Sequence, residues 1–324
     1  MCTAVTYCSK CGYFGRNLDF EHSFGEKIVI VSRNFPFVFR SRGEILSHYA
    51  IIGMGIVSNN FPLYFDGANE EGLCMAGLLF SGYAHFHEEL QGYDNIASFE
   101  LIPWVLSQCK SVSEAKELLR KTNVTNLDFS EEYPSTPLHW IVSDKHSSIT
   151  VESCREGLFI YDNEVGVLTN SPTFPMQMFV LNNYMSLSPN PPENHFSEKL
   201  KLTPYSRGMG SLGLPGDLSS TSRFVRGAFT KLNSASPDDE QCCVNQVFHI
   251  LGSVYQTRGL NRTEEDFPEI TYYSSCINMD EGIYYYTTYD NMSLNAVKLS
   301  EHDTSGERIY TFPLERKWQI NFQR

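Results

Sequence analysis

The chain begins with residues that could supply a nucleophile together with its own base. Cys2 follows Met1 directly, so removal of Met1 would leave a thiol and a free α-amine on one residue. An α-amine is partly neutral near pH 7 and accepts a proton from the thiol, while a guanidinium such as that of Arg16 favours the thiolate. Asp19 has the charge needed to hold the amine. These residue types predict an amidase that forms a thioester on Cys2.

The same residues have a simpler interpretation, in which Cys2 is a small buried apolar side chain, Arg16 lies at the surface and Asp19 caps a turn. Residues 3–7 and 13–18 read as two strands around the turn-like CSKCG. A hairpin of this kind brings Cys2 opposite residues 16–19. The spacing alone leaves both interpretations open.

Further strand patterns are distributed over the whole chain. EKIVIVSR, EGIYYYTTYDN and ERIYTFPLE predict strands, and GLFIYDNEVGVLTN predicts a hairpin. Because these strands come in groups between longer helical patterns, layered antiparallel sheets are favoured over a doubly wound parallel sheet.

Three stretches have the periodicity of helices. SVSEAKELLRK begins with a capping-box pattern of Ser111 and Glu114. SRFVRGAFTKL and CCVNQVFHILGSVYQTRG repeat apolar residues at helical spacing. The last of these is predicted to end at Gly259, as at a helix C-terminal cap.

Composition and charge limit the class of function. The 324 residues are 41% hydrophobic and 19% charged, as in an ordinary globular protein. No linker, charge block or repeat divides the sequence, so one domain over residues 1–324 is predicted. The formal charge of -13 argues against nucleic acid as the main partner. The sequence has no export signal and no apolar span of about 18 residues, so we expect no membrane association and a cytoplasmic location.

The metal-type and redox-type patterns are incomplete. The nine cysteines are odd in number and scattered, which favours free thiols. Cys8 and Cys11 have CxxC spacing, but a second pair that would complete a zinc site is missing. His85 and His87 lack an evident third ligand, and we interpret them as part of a solvated loop beside the active site. We expect no metal and no cofactor. A thiol redox protein that uses Cys8 and Cys11 is an alternative class.

Several stretches in a fixed order carry a family resemblance: MCTAVTY, GRNLDFEHSFGEKIVI, FPLYFDGANEEGL, TPLHWIVSD, LTNSPTF and LPGDLSSTSRFVRGAFTKLNS. Together they resemble the choloylglycine hydrolase family of N-terminal nucleophile hydrolases, which includes bile salt hydrolases and penicillin V acylases. The resemblance extends from Met1 to the region of Phe312. It implies an α+β fold of four αββα layers, with two antiparallel sheets between helical layers.

The resemblance also implies roles for single residues. Cys2 corresponds to the nucleophile, Arg16 to its electrostatic partner and Asp19 to the residue that holds the α-amine. Asn170 corresponds to the asparagine whose amide helps to form the oxyanion hole, and Arg223 to the second active-site arginine. An amide donor aimed at an oxyanion in a dry site contributes about 3 kcal/mol. Without the resemblance, Asn170 would be interpreted as a turn residue.

One position departs from the family pattern at the edge of the substrate pocket. Leu79 stands where bile salt hydrolases usually carry asparagine and penicillin V acylases usually carry tyrosine. The family uses the backbone N–H at this position as the other oxyanion donor, so leucine keeps the donor and changes the pocket surface. Phe20, Phe61 and Leu138 fall on segments that line the substrate groove in the family, although each is equally consistent with ordinary core.

The resemblance is closer to the bile salt hydrolases, so hydrolysis of glycine- or taurine-conjugated bile acids is the expected activity. Within the family, a penicillin V acylase or an N-acyl homoserine lactone acylase is the alternative. A non-catalytic ligand-binding module is the alternative of another class, but it would be expected to lack one of Cys2, Arg16, Asp19 or Asn170. The resemblance further suggests a homotetramer from a gut bacterium.

Overall fold

A computed structural model describes residues 1–323 of the chain. One domain over residues 1–324 stays a prediction, and residue 324 lies outside the described residues. The strands in chain order are β1 (Cys2–Cys8), β2 (Gly12–Phe20), β3 (Lys27–Val31), β4 (Phe37–Phe39), β5 (Gly43–Ile45), β6 (Ile51–Ser58), β7 (Phe61–Asn69), β8 (Cys74–Leu79), β9 (Asp94–Ala97), β10 (Thr122–Thr125), β11 (Leu138–Ser143), β12 (Ser148–Cys154), β13 (Gly157–Asp162), β14 (Val167–Leu168), β15 (Ile270–Asn278), β16 (Ile283–Thr288), β17 (Asn295–Lys298) and β18 (Ile309–Pro313). The α-helices are α1 (Leu101–Gln108), α2 (Val112–Leu119), α3 (Phe174–Val180), α4 (Ser220–Leu232) and α5 (Glu240–Gly252).

Two large sheets hold most of these strands. One has six strands in the order β14-β1-β2-β15-β16-β17, and the other has eight in the order β13-β12-β11-β8-β7-β6-β3-β18. The β3 strand shows that its sheet is buried on both faces, because Ile28 and Ile30 join one hydrophobic core while Val29 and Val31 join the other. Such strands read as continuous apolar runs in the sequence.

Helices cover the outer face of each sheet. The α4 and α5 helices contact β1, β2 and β15, while α1 and α2 contact β7, β8 and β11. A Cβ atom on Gly15 of β2 would lie 2.5 Å from Val247 Cγ1 of α5, so this glycine allows the close approach of helix and sheet. The predicted four-layer αββα architecture is confirmed. No helix within residues 1–323 is long and apolar enough to cross a membrane.

The predicted hairpin in GLFIYDNEVGVLTN does not form, and this prediction is wrong. The β13 strand pairs with β12 in the eight-stranded sheet, whereas β14 pairs with β1 in the six-stranded sheet. Asn163 stabilises the crossing between the sheets, because its Nδ2 donates to Thr150 Oγ1 and Val167 O, each at 3.0 Å. The two adjacent apolar runs that form β13 and β14 therefore belong to different sheets.

The helix predicted to end at Gly259 is shorter than its apolar pattern indicated. The α5 helix ends at Gly252. Beyond it, Gln256 N donates to Thr271 Oγ1 at 2.8 Å, and Gln256 O accepts from Thr271 N at 3.2 Å. The chain leaves the helix because its backbone bonds to the start of β15 instead.

Candidate active site

The first hairpin brings the predicted nucleophile and its arginine together. The β1 and β2 strands pair with Cys2 opposite Leu18 and Ala4 opposite Arg16. Arg16 Nη2 donates to Cys2 Sγ at 3.3 Å, and both side chains are buried. The prediction that this hairpin brings Cys2 to residues 16–19 is confirmed.

Backbone carbonyl groups of the other sheet hold the Arg16 guanidinium. Arg16 Nη2 donates to Gly77 O at 2.8 Å, and Nη1 donates to Phe65 O at 2.5 Å. Nη1 also lies 3.3 Å from Asp66 Oδ2. Because β2 supplies the arginine and β7 and β8 supply its acceptors, the site depends on the packing of the two sheets.

Asp66 contacts Arg16 at this site and was missed by the sequence reasoning. Its carboxylate is completely buried and accepts from the hydroxyl groups of Tyr273 and Tyr284, each at 2.5 Å. Burial raises the pKa of Asp66, against the opposing effect of Arg16 and the two tyrosines. Burial by itself would lower the pKa of the guanidinium, but nearby Tyr273, Cys2 and Asp66 raise it above its ordinary value. The available sequence signal was a carboxylate within an apolar strand.

The structure has Met1 in place, and the chain terminus lies beside the thiol. The Met1 ammonium donates to the Glu269 carboxylate and, at 2.6 Å, to Asp19 O. The Cys2 nitrogen is a peptide N–H in this form and donates to Asn170 Oδ1 at 2.9 Å. This nitrogen would become the α-amine on removal of Met1.

Asp19 is fully buried and has one unused carboxylate oxygen. Its Oδ1 accepts from the Thr271 hydroxyl at 2.6 Å, whereas Oδ2 has no hydrogen-bond partner within residues 1–323. Burial raises the pKa of Asp19, and the charges of Arg223 and the N-terminal ammonium oppose this. A buried carboxylate oxygen without a donor is costly, so Oδ2 is available to a further donor.

Arg223 and Asn170 form a buried pair against the backbone of Cys2. Arg223 Nη1 donates to Cys2 O at 2.5 Å and Thr3 Oγ1 at 2.7 Å, and Nη2 donates to Asn170 Oδ1 at 2.7 Å. Because Asn170 Oδ1 accepts from two donors, the orientation of the amide is determined. Asn170 Nδ2 donates to Leu79 O at 2.8 Å, which uses only one of its two hydrogens. The amide therefore retains a donor near Cys2.

A cavity of about 430 Å³ is lined by Cys2 and by mostly apolar side chains. Leu79 and Leu138 lie opposite each other on β8 and β11 and contribute to its wall, as does Phe20 at the end of β2. Further aromatic lining residues are Phe24, Phe65, Phe99, Phe129 and Tyr133. The structure thus brings Phe20, Leu79 and Leu138 together with Cys2.

Phe61 does not line this cavity, contrary to the sequence prediction. Its ring centroid lies 6.1 Å from those of Phe99 and Phe129, which do line the cavity. It also packs against Phe37, at 6.0 Å. Because Phe61 begins β7 and lies behind these two rings, it supports the wall as part of the core.

The CxxC and HxH residues lie outside the catalytic cavity. Cys8 is at the far end of β1 from Cys2, and its thiol donates to Lys145 O at 3.2 Å. His85 and His87 have ring centroids 4.8 Å apart, and neither lines the cavity at Cys2. His87 instead lines a separate polar cavity of about 660 Å³, which contains none of the predicted catalytic residues.

The chain matches known sequences over nearly its whole length. Residues 2–312 match the model of a family described as linear amide C–N hydrolases, choloylglycine hydrolase family. The chain is 53% identical over 319 residues to a protein named bile salt hydrolase/transferase from Lactiplantibacillus plantarum, with 98% of each chain covered.

Similar solved structures include a bile acid hydrolase and a penicillin acylase. The C2A mutant of the conjugated bile acid hydrolase from Clostridium perfringens has a TM-score of 0.94 at 38% identity, with 100% of both chains covered. Penicillin V acylase from Agrobacterium tumefaciens has a TM-score of 0.75 at 18% identity, with 96% of this chain and 91% of that chain covered. The second similarity shows a shared fold.

Proposed function

Since the chain belongs to the choloylglycine hydrolase family of linear amide C–N hydrolases, we propose that it hydrolyses the amide bond of glycine- or taurine-conjugated bile acids. The observation that carries this proposal is the contact of Arg16 Nη2 with Cys2 Sγ at 3.3 Å, beside an apolar cavity. The names of the relatives support the choice of bile acids.

The cavity supports a bulky apolar acyl group as the part of the substrate that binds there. Its volume of about 430 Å³ falls within the usual range of small-molecule pockets. Phe20, Leu79 and Leu138 offer apolar surface whose burial against a steroid ring system is favourable.

The proposed reaction starts after removal of Met1, when the Cys2 nitrogen becomes a free α-amine. Asp19 Oδ2, which has no hydrogen-bond partner among the described residues while Met1 is present, is the proposed acceptor for this amine. The neutral amine takes the thiol proton, and the thiolate attacks the amide carbonyl carbon. The positive charge of Arg16 stabilises the thiolate.

The carbonyl oxygen becomes negatively charged when the sulfur–carbon bond forms. Asn170 Nδ2 and the Leu79 backbone N–H are the proposed donors to it, and Arg223 holds Asn170 through the oxygen of its amide. The C–N bond then breaks, and the leaving glycine or taurine nitrogen takes the proton held by the α-amine. Water attacks the resulting thioester, releases the bile acid and restores the thiol.

Acyl transfer is a second candidate activity of the same site. Relatives from Lactiplantibacillus plantarum and Clostridium perfringens carry the name bile salt hydrolase/transferase. An amine that attacks the thioester in place of water would form a new amide, with the same groups moving the proton.

We also propose a homotetramer in the bacterial cytoplasm, as the family resemblance suggests. Large apolar side chains are exposed on the segment of residues 176–212, as is typical of surfaces buried in assemblies. They include Met176, Phe179, Met185, Phe196, Tyr205 and Leu212. Light scattering during size-exclusion chromatography should give four times the chain mass, and the mass of a monomer would contradict the proposal.

The testing experiment compares taurocholate, glycocholate and penicillin V as substrates under reducing conditions. The wild type, shown by intact mass to lack Met1, should hydrolyse the bile salts, and Cys2→Ala should not. Cys8→Ala is the matched control and should remain active. Hydrolysis of penicillin V alone would indicate the acylase branch, and absence of turnover would favour the ligand-binding module.

A further inference from the structure

A buried histidine contacts both segments that carry the proposed oxyanion donors. His139 of β11 is completely buried, and its ring stacks on Phe80 with centroids 4.3 Å apart and an interplanar angle of 7°. His139 Nε2 lies 3.0 Å from Thr169 O. Phe80 directly follows Leu79 in the chain. Thr169 directly precedes Asn170.

We propose that His139 is a positioning residue that sets the separation of the two oxyanion donors. This inference rests on the proposed function, because it assigns a purpose to the geometry of the same site. Within residues 1–323, the ring nitrogens of His139 contact Glu152 and Thr169 and make no hydrogen bond to the thiol of Cys2. It acts on the reaction through Phe80 and Thr169.

The acceptors around His139 indicate which of its ring nitrogens carries a hydrogen. Thr169 O can only accept, so His139 Nε2 carries a hydrogen. His139 Nδ1 lies 3.2 Å from Glu152 Oε1, and both residues are completely buried. A hydrogen bond between Nδ1 and the carboxylate needs one further proton shared by the two groups. With that proton the pair would have no net charge, which lowers the cost of burying it.

Glu152 connects His139 to the element that follows Asn170. Its Oε1 also accepts from Phe174 N at 2.8 Å, at the first residue of α3. The backbone groups of Asn170 itself have other partners. Asn170 N donates to Ser220 Oγ at 2.9 Å, and Asn170 O accepts from the side-chain amide of Gln177. Among the described residues, His139 is thus the hydrogen-bond partner of the Thr169 carbonyl, directly before Asn170.

Loss of these contacts should slow the chemical step more than it weakens binding. A displacement of about 1 Å in a catalytic group can cost about 10²-fold in rate. The apolar cavity wall that binds the acyl group includes neither His139 nor Glu152. We therefore expect an effect on kcat with little effect on KM.

Two variants separate the hydrogen bond from the packing. His139→Phe keeps a ring against Phe80, and it is combined with Glu152→Gln so that no buried carboxylate loses its partner. Glu152→Gln alone is the matched control, because its amide can donate to Nδ1 of a neutral histidine that still bonds Thr169. That orientation gives up the bond from Phe174 N, so the two variants are compared with each other and not with the wild type. For glycocholate, kcat of H139F/E152Q should be about 10- to 100-fold lower than that of E152Q, with KM within about twofold.

The affinity for an aldehyde analogue of the bile acid is a measurement that does not depend on the stability of the fold. The thiol adds to the aldehyde carbon, and the hemithioacetal oxygen occupies the position of the oxyanion. Its affinity should fall in H139F/E152Q by about the factor lost in kcat. Inhibition by the free bile acid, which makes no such adduct, should stay within about twofold.

The outcomes separate this inference from the proposed function. Equal kcat and equal aldehyde affinity in E152Q and a folded H139F/E152Q would overturn the inference alone. If the double variant does not fold, His139→Gln replaces it, since its amide can donate one hydrogen bond but has no ring to stack on Phe80. Its kcat should then lie below that of the wild type, and unchanged kcat and aldehyde affinity would overturn the inference. A Met1-free wild type that hydrolyses no bile salt would overturn the proposed function and the inference with it.

Discussion

Asp19 Oδ2 lies 4.0 Å from Arg223 Nη1, and both side chains are completely buried. In the part of the chain that the structure describes, this carboxylate oxygen has no hydrogen-bond partner while Met1 is in place, since the Met1 ammonium contacts the Glu269 carboxylate. Removal of Met1 transfers the positive charge to the Cys2 nitrogen. We propose that the new ammonium donates to Asp19 Oδ2. Removal of Met1 would then create the α-amine that serves as the base and would also complete the hydrogen bonding of Asp19.

An N-terminal extension that cannot be removed should abolish activity, because the Cys2 nitrogen then remains a peptide nitrogen and accepts no proton. We expect kcat to fall by at least about 10²-fold, a typical contribution of a general base. The measurement is glycocholate hydrolysis before and after a protease releases a chain that begins at Cys2. The same extension at the C-terminus is the control. Full activity with Cys2 still blocked, as judged by intact mass, would contradict the mechanism.

Arg16→Lys should lower both the reactivity of Cys2 and the stability of the folded protein. Lysine keeps the charge but cannot reproduce the planar fork that contacts Cys2 and the carbonyl groups. We expect slower alkylation of Cys2 by iodoacetamide and a free energy of unfolding lower by about 2 kcal/mol, from the lost charged hydrogen bonds. Mass spectrometry and urea unfolding measure the two effects.

The control for this variant is Arg33→Lys, which changes a more exposed pair with Glu70. Its free energy of unfolding should change by less than about 1 kcal/mol. Equal alkylation rates of Cys2 in the wild type and Arg16→Lys would argue against an electrostatic role for Arg16.

Leu79→Tyr should discriminate against bulky acyl groups, because Leu79 borders the cavity opposite Leu138. We expect kcat/KM for glycocholate to fall at least about tenfold, and that for penicillin V to fall less. Leu79→Met, which nearly conserves volume, is the control and should stay within about threefold of the wild type. Parallel losses on both substrates in Leu79→Tyr would indicate damage to the oxyanion donor instead.

Asp217 stabilises the beginning of α4, the helix that carries Arg223. Ser219 N donates to Asp217 Oδ1 at 2.9 Å, and Ser222 Oγ donates to Oδ2 at 2.6 Å. Hydrogen bonds from Ser219 and Ser222 lower the pKa of Asp217 to about 2. Because the unfolded value is about 3.9, the ionised form stabilises the fold above that pH, and the contribution is lost as the pH falls towards 2.

Asp217→Ala should therefore lower the free energy of unfolding at pH 7 by about 1 kcal/mol, a value reduced for the solvent screening of an exposed group. The difference from the wild type should shrink between about pH 5 and about pH 3. Urea unfolding at several pH values measures it, with Glu307→Ala as the control for an exposed carboxylate. A difference that grows on acidification would contradict the assigned pKa direction.

The local part of the site could be predicted from the order and spacing of the residues. Cys2 and Arg16 meet because a short turn joins two strands, and pairing of such neighbours follows from turn residues and strand periodicity. The grouping of strands between helices predicted the layers in the same way. Asn170 and Arg223 were assigned through the family motifs alone, since spacing cannot relate residues so distant in the chain.

The packing of distant segments brings the remaining side chains to the site. Asp66 reaches Arg16 only because the two sheets pack face to face, and His139 reaches Phe80 and Thr169 only because three separate segments converge. Packing also placed Phe61 behind the cavity wall. Periodicity reports which face of an element is apolar, but not which distant element covers that face, so these contacts have no signature in a single sequence.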